Sequence, residues 1–324
     1  MGYGQYSHDA HTALIAQRAH QPHAQVFQQT QCHALMDPKG LKVRENRDSA
    51  EHPDSLGIVF ALDVTGSMGE IPRLLATKEL PTFMALLGEC QVPDSQVLFV
   101  AVGDATSDRA PLQVGQFETT AELMDQWLTW SFLEGRGGAG NHESYELVFY
   151  LLAQHTDLDC WNNRKTNGYL FMTGDELPYP AVSRHQVEAL FGEKLEEDLP
   201  IEEVIATAAE TYHLFFLVPD QQRRKNCERA WRDLLGDHVI CMDGPADTCA
   251  VAAALVALTE RRLPDLDALA GVLQARGMDR SRIGSVIRAL RPYADTLGMA
   301  AVGSPLTGSI TGASRPGWWK RFFG

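Results

Sequence analysis

No apolar run in this chain is longer than a buried strand, so no segment reads as a transmembrane helix. The N-terminus has no apolar signal core. Met1-Gly2 is followed by Tyr6 where a myristoylation motif wants Ser or Thr. Paired cysteines are missing as well: Cys32, Cys90, Cys160, Cys227, Cys241 and Cys249 are scattered, with no Cys-x-x-Cys. In a chain of 324 residues this reads as reduced thiols in a cytoplasmic protein, not as a disulfide framework. Positive charge is scarce: 28 Lys and Arg face 42 Asp and Glu, a net charge of −14. That balance disfavours generic nucleic-acid binding. Residues 263–324 reverse it, with eight Lys and Arg against four Asp and Glu. This basic part reads as a solvated helix face or as a separate surface with its own partner. No Ser/His/Asp or Cys/His arrangement announces a nucleophilic enzyme.

What is present is organised around Gly57–Gly69. Ile58–Leu62 is a short continuous apolar run, the pattern of a strand buried on both faces. It ends in Asp63, Thr65 and Ser67, set among Gly66 and Gly69, before a long apolar-periodic segment. Oxygen ligands therefore sit in a tight loop at the carboxyl end of a buried strand, where open α/β sheets bind their ligands. Asp63, Thr65 and Ser67 alternate, so their side chains can point to one side. Carboxylate and hydroxyl oxygens suit a hard divalent cation that keeps some waters. Without a metal, Thr65 or Ser67 would cap a helix N-terminus.

The run Asp63-Val64-Thr65-Gly66-Ser67 resembles the metal-ion-dependent adhesion site (MIDAS) of von Willebrand factor A (vWA) domains, whose signature is Asp-x-Ser/Thr-x-Ser. The resemblance implies a doubly wound, mostly parallel α/β sheet carrying Mg2+ (or Mn2+) on three loops. The first loop is complete in Asp63, Thr65 and Ser67. The third, an Asp after the fourth strand, is matched by Asp175 in Phe171-Met172-Thr173-Gly174-Asp175. In the second loop, family members often place a Thr or Asp in a Gly-rich turn. Here that turn is Gly135–Glu143, and the expected position falls on Gly140. Asn141 or Glu143 could substitute, directly or through a water, or a partner could supply the ligand. Asp104, after the second strand, reads either as the rim of the site or as a turn-forming Asp.

Cytoplasmic bacterial vWA proteins are implied to work beside partner ATPases of the MoxR type (AAA+), or in stress and defence systems. The implied role is an adaptor, not an enzyme: the metal keeps one position open for an Asp or Glu of a protein partner. The competing reading is a HAD- or P-type-like phosphotransferase with Asp63 as nucleophile, since Asp63–Ser67 and Thr173-Gly174-Asp175 echo motifs of that class. It needs a Lys and paired acids for phosphate and magnesium, and the Gly-Asp-Gly-x-Asn-Asp run is absent.

Residues 56–260 alternate strand and helix. Expected strands are Ile58–Leu62, Val97–Val102, a short edge strand Gln113–Phe117, Gly168–Met172, Tyr212–Val218 and Val239–Met242. Expected helices are Ile71–Leu87, kinked at Pro81, then Thr120–Thr129, Ser144–His155, Pro200–Glu210, Gln222–Leu235 and Ala246–Thr259. The domain is drawn as 53–262. Residues 1–52 form a polar N-terminal extension holding six of the eleven histidines. One helix is expected there, His8–Ala19 capped by Ser7, with zinc at His8, His11, His20 and His23 as the alternative. The polar run Arg44–Ser49 is either a linker or a neighbour of the metal loop. Residues 263–296 read as a helical pair, Pro264–Ala275 and Arg280–Leu290, which packs or, less commonly, binds DNA. Residues 297–324 form a Gly/Ser-rich tether ending in Trp318, Trp319, Phe322 and Phe323, four aromatics expected to fold back, dock a partner or meet a membrane surface.

Overall fold

The structure is a computed structural model that describes residues 4–66, 68, 70–92, 94–134 and 140–299. Its centre is a six-stranded sheet built from β1 (Leu56–Asp63), β2 (Ser95–Val102), β3 (Leu112–Val114), β4 (Gly168–Thr173), β5 (Tyr212–Val218) and β6 (Val239–Cys241). The spatial order is β3-β2-β1-β4-β5-β6. β1 pairs in parallel with both β2 and β4, with Ile58 opposite Val97 on one side and Tyr169 on the other. Every residue of β1, β2 and β4 is buried, which is why these strands read as unbroken apolar runs. The order reverses between β1 and β4, and the crevice at such a switch point is where doubly wound sheets bind ligands.

Within this six-stranded sheet, β3 alone runs antiparallel. The connection from β2 holds no helix, and a parallel return needs a crossover of about a dozen residues or more. β3 is also displaced from the expected Gln113–Phe117. It stops at Val114, where Gly115 lies so close to Phe99 O that a Cβ would not fit, and pairing resumes only as an isolated bridge between Val97 and Glu118.

Helices cover both faces. Main elements are α1 (His8–Arg18), α2 (Leu80–Glu89), α3 (Ala121–Thr129), α4 (Glu146–His155), α5 (Ile201–Ala209), α6 (Arg224–Leu235), α7 (Thr248–Thr259), α8 (Leu266–Ala275) and α9 (Arg280–Thr296). α2 packs on α7, and α4 on α5. Pro81 shapes the helix after the Asp63 loop. It has no N–H, and its ring presses on the carbonyl four residues back. The turn just before it, Leu75–Glu79, widens into a π-helix in which Leu80 N–H reaches Leu75 O. α1 is capped by Ser7, whose hydroxyl accepts from Ala10 N–H, and it packs on α3.

The polar run 44–49 is no neighbour of the Asp63 loop. Arg44–Asn46 forms a two-stranded parallel pair with Thr156–Leu158. Asn46 donates to Gln96 Oε1 at 2.7 Å, and Asp48 is held by Arg164 at 2.6 Å and Ser55 at 2.7 Å. Ser55 and Gln96 stand where β1 and β2 begin, so this network closes the opposite end of the sheet. α9 runs six residues past the expected end at Leu290, straight through Pro292. Tyr293 explains the extension: it is buried, sits edge-on to Phe215 at 5.0 Å, and its hydroxyl lies 2.8 Å from Thr259 Oγ1. The aromatics Trp318, Trp319, Phe322 and Phe323 lie outside the described residues. No helix among the described residues is long and apolar enough to cross a membrane.

Candidate functional site

The site begins at the last residue of β1. Asp63 is fully buried, and its carboxylate is held from both sides. Oδ1 accepts from the Thr65 N–H at 2.9 Å and the Thr65 hydroxyl at 2.5 Å. Oδ2 accepts from the Tyr145 hydroxyl at 2.6 Å. Thr65 thus folds the loop back onto Asp63, and Tyr145, from the turn before α4, fixes the other oxygen. Gly174 makes this possible: a Cβ there would overlap the Tyr145 hydroxyl. The Tyr145 ring is wedged edge-on against Phe216 and Trp231.

Asp175 follows β4 and is nearly buried. Its Oδ2 lies 3.4 Å from Nη1 of Arg223, at the start of α6. The neighbouring pairing of β1 and β4 therefore brings the first and third loops to one crevice, as the vWA resemblance implies. From the second loop comes Glu143, in a two-residue strand pairing His142–Glu143 with Leu177–Pro178. Glu143 is buried, and its Oε2 has no hydrogen-bond partner among the described residues. Asn141 stands differently: its side chain is exposed, and its carbonyl accepts from Leu177 N–H at 3.0 Å. Asp104 forms a turn, accepting from Thr106 N–H at 2.9 Å and the Thr106 hydroxyl at 2.6 Å, yet it is buried beside the site and also accepts from Tyr179 OH at 3.1 Å. Ser67 lies outside the described residues.

Electrostatics tie these carboxylates together. Burial pushes Asp63 up to about 6, against the pull of the Thr65 and Tyr145 donors. Burial, then the charges of Asp63, Glu176, Asp104 and Asp108, raise Glu143 to about 9. Glu176 rises to about 7 through burial and the charges of Asp175, Asp63 and Asp104. The crevice is thus short of positive charge. A hard divalent cation fits that deficit and the oxygen donors present. Among the described residues, no three His, Cys, Asp or Glu side chains form a metal-binding group. Any ion here would rest on a mixed set in which hydroxyls and water matter. Beside Thr65 and Gly66 a cavity of about 370 Å³ opens to solvent, lined also by His23, Glu70, Arg73 and Leu133.

Three functional neighbours escape sequence reasoning. Tyr145 carries only a weak signal, a hydroxyl two residues after Glu143. Arg223 and Met68 carry none, because their meeting at 2.8 Å between Nη1 and Sδ depends on the fold. The N-terminal histidines do not gather into a zinc site. His11 Nδ1 lies 2.9 Å from Tyr6 OH, and His8 Nδ1 lies 3.5 Å from Thr12 Oγ1. Among the described residues of the basic C-terminal part, Arg276 pairs with Glu89, Arg282 with Glu79 and Asp247, and Arg288 with Asp243.

No family model matches the chain, and no curated protein matches it. Solved structures of similar fold include a von Willebrand factor type A protein from Catenulispora acidiphila (12% identity, TM-score 0.40, covering 63% of this chain and 42% of that one). They also include proximal thread matrix protein 1 of the mussel byssus, with a zinc-occupied MIDAS motif (10%, TM-score 0.39, 65% and 50%). A third is the conserved hypothetical protein BatB from Bacteroides thetaiotaomicron (11%, TM-score 0.39, 64% and 99%). The chain spans half or less of the length of the first two. The fold described above rests on this chain's own strand order.

Proposed function

We propose that this chain, with the fold and first-loop motif of a vWA domain, is a metal-dependent protein–protein recognition module. The observation that carries the reading is the convergence at the switch point of Asp63 with Thr65, Asp175 and the buried, partly unpartnered Glu143. Asp63, Thr65 and Asp175 would hold Mg2+ or Mn2+, with Ser67 completing the first loop and Glu143 serving through a water. When bound, the ion supplies a Lewis-acidic position for a carboxylate. The chain's own residues do the rest: Tyr145 fixes Asp63, and the cavity beside Thr65 gives a partner's Asp or Glu a way in. The partner class that the resemblance implies is a MoxR-type AAA+ ATPase, with this chain as adaptor in the cytoplasm.

The chain is proposed not to be an enzyme. A phosphotransferase built on Asp63 would need a Lys and paired acids to hold phosphate and magnesium, and the Gly-Asp-Gly-x-Asn-Asp run that supplies the acids is absent from the sequence. The test is capture of a MoxR-type ATPase by wild type and Asp63→Ala, with magnesium and with chelator. Capture by wild type only with magnesium supports the reading. Capture that ignores both chelator and mutation contradicts it, as would magnesium-dependent phosphate release that disappears in Asp63→Asn.

A further inference from the structure

Arg223 brings one positive charge to the edge of this carboxylate-rich crevice. It stands at the start of α6, in the loop after β5, and so reaches the site from the strand beside β4. Its Nε is 2.8 Å from Asp220 Oδ2. Asp220 in turn accepts from the Gln222 and Arg223 N–H groups at 2.9 and 3.1 Å. That anchor aims the guanidinium inward. Nη1 then lies 3.4 Å from Asp175 Oδ2 and 2.8 Å from Met68 Sδ. Met68 belongs to the Asp63 loop and is buried. One side chain thus bridges the first and third loops, the two that the proposed function assigns to the metal.

We propose that Arg223 is a positioning residue that sets the affinity of this site for divalent cations by competing with the ion for Asp175. The inference rests on the metal-site reading above. The physical reason is charge. A carboxylate paired with a guanidinium has part of its attraction for a second cation cancelled, and the two positive charges repel at short range. Metal entry then requires Arg223 to let go of Asp175. Asp220 keeps the released guanidinium near the rim, where it offers a bidentate partner to an incoming carboxylate. The ion and an acidic partner would therefore favour the same rearrangement.

Calorimetric titration of Mn2+ into the full chain tests this with wild type, Arg223→Gln and Arg223→Lys, each checked for folding by circular dichroism. Arg223→Gln should bind Mn2+ about tenfold tighter or more, while Arg223→Lys stays closer to wild type. A merely structural role for Arg223 would weaken binding or leave it unchanged, and either result in Arg223→Gln overturns the inference. If wild type binds Mn2+ and Arg223→Gln binds it equally, the metal-site reading stands and this inference alone fails. If neither binds, both fail. If only Arg223→Gln binds, Arg223 is shown to hold the site against the ion.

Discussion

At the scale of single residues, the site depends on how a buried carboxylate is satisfied. Asp63 has no access to water, so each donor to it counts for more than a surface hydrogen bond would. Tyr145→Phe removes the donor that Oδ2 has among the described residues. Urea denaturation should show a loss of about 1–3 kcal/mol. An unchanged midpoint would mean that Tyr145 merely lies near Asp63. Two histidines, His11 buried and His213 partly buried, set a second residue-scale property. Burial lowers both His11 and His213 to about 4. Between the ordinary value of 6.5 and about 4, the unfolded chain binds more protons than the folded one. Their contribution is therefore complete above pH 6.5 and lost as pH falls toward 4, by up to about 3 kcal/mol per group. The raised carboxyls of the crevice act in the opposite sense over this range, so the histidine contribution is read as a difference: the stability of wild type relative to His213→Phe should fall between pH 7 and pH 5. A pH-independent difference between the two proteins would contradict the assignment.

At the scale of elements, the C-terminal helix pair is joined to the domain by charge as well as by Tyr293. Arg282 of α9 donates to Asp247 at 2.8 Å and lies 3.1 Å from Glu79, a carboxylate that is almost fully buried in the π-turn before α2. Arg282→Ala should cost about 3 kcal/mol or more, because it strands Glu79 without its guanidinium. A loss below 1 kcal/mol would mean that water reaches Glu79 freely. The elements themselves were unequally legible. β1, β2, β4 and β5 were readable because strands buried on both faces must be apolar throughout. The direction of β3 was not, since it follows from the shortness of a connection and not from any side chain. The Arg44–Asn46 strand, the helix Asp159–Arg164 and the helix Arg184–Phe191 are short and polar, and they are stabilised by neighbours far off in sequence. The end of α9 was misjudged because Pro292 outweighs Tyr293 in any local reading, while burial against Phe215 decides the matter in three dimensions. In the site, Asp63, Thr65 and Asp175 could be picked out because they sit at strand ends. Tyr145 and Arg223 could not, because the contact of Tyr145 with Asp63 spans 82 residues and that of Arg223 with Met68 spans 155.

At the scale of the whole molecule, an acidic chain places a further cluster of carboxylates in the crevice of its own sheet. Net charge of −14 raises the local concentration of cations everywhere on such a protein. Only a site with fixed oxygen donors, however, should hold one ion with defined stoichiometry. The fold supplies those donors from strands that pair at the switch point, so the central claim is that one divalent ion binds there through Asp63. The direct measurement is calorimetric titration of Mg2+ and Mn2+ into wild type and Asp63→Ala at physiological ionic strength, where diffuse attraction is screened beyond about 8 Å. The account predicts one saturable site in the wild type, with affinity at least about tenfold weaker in Asp63→Ala, by comparison with the roughly 10–100-fold that losing even an outer partner of a metal ligand costs. Equal affinity in the two proteins would contradict it.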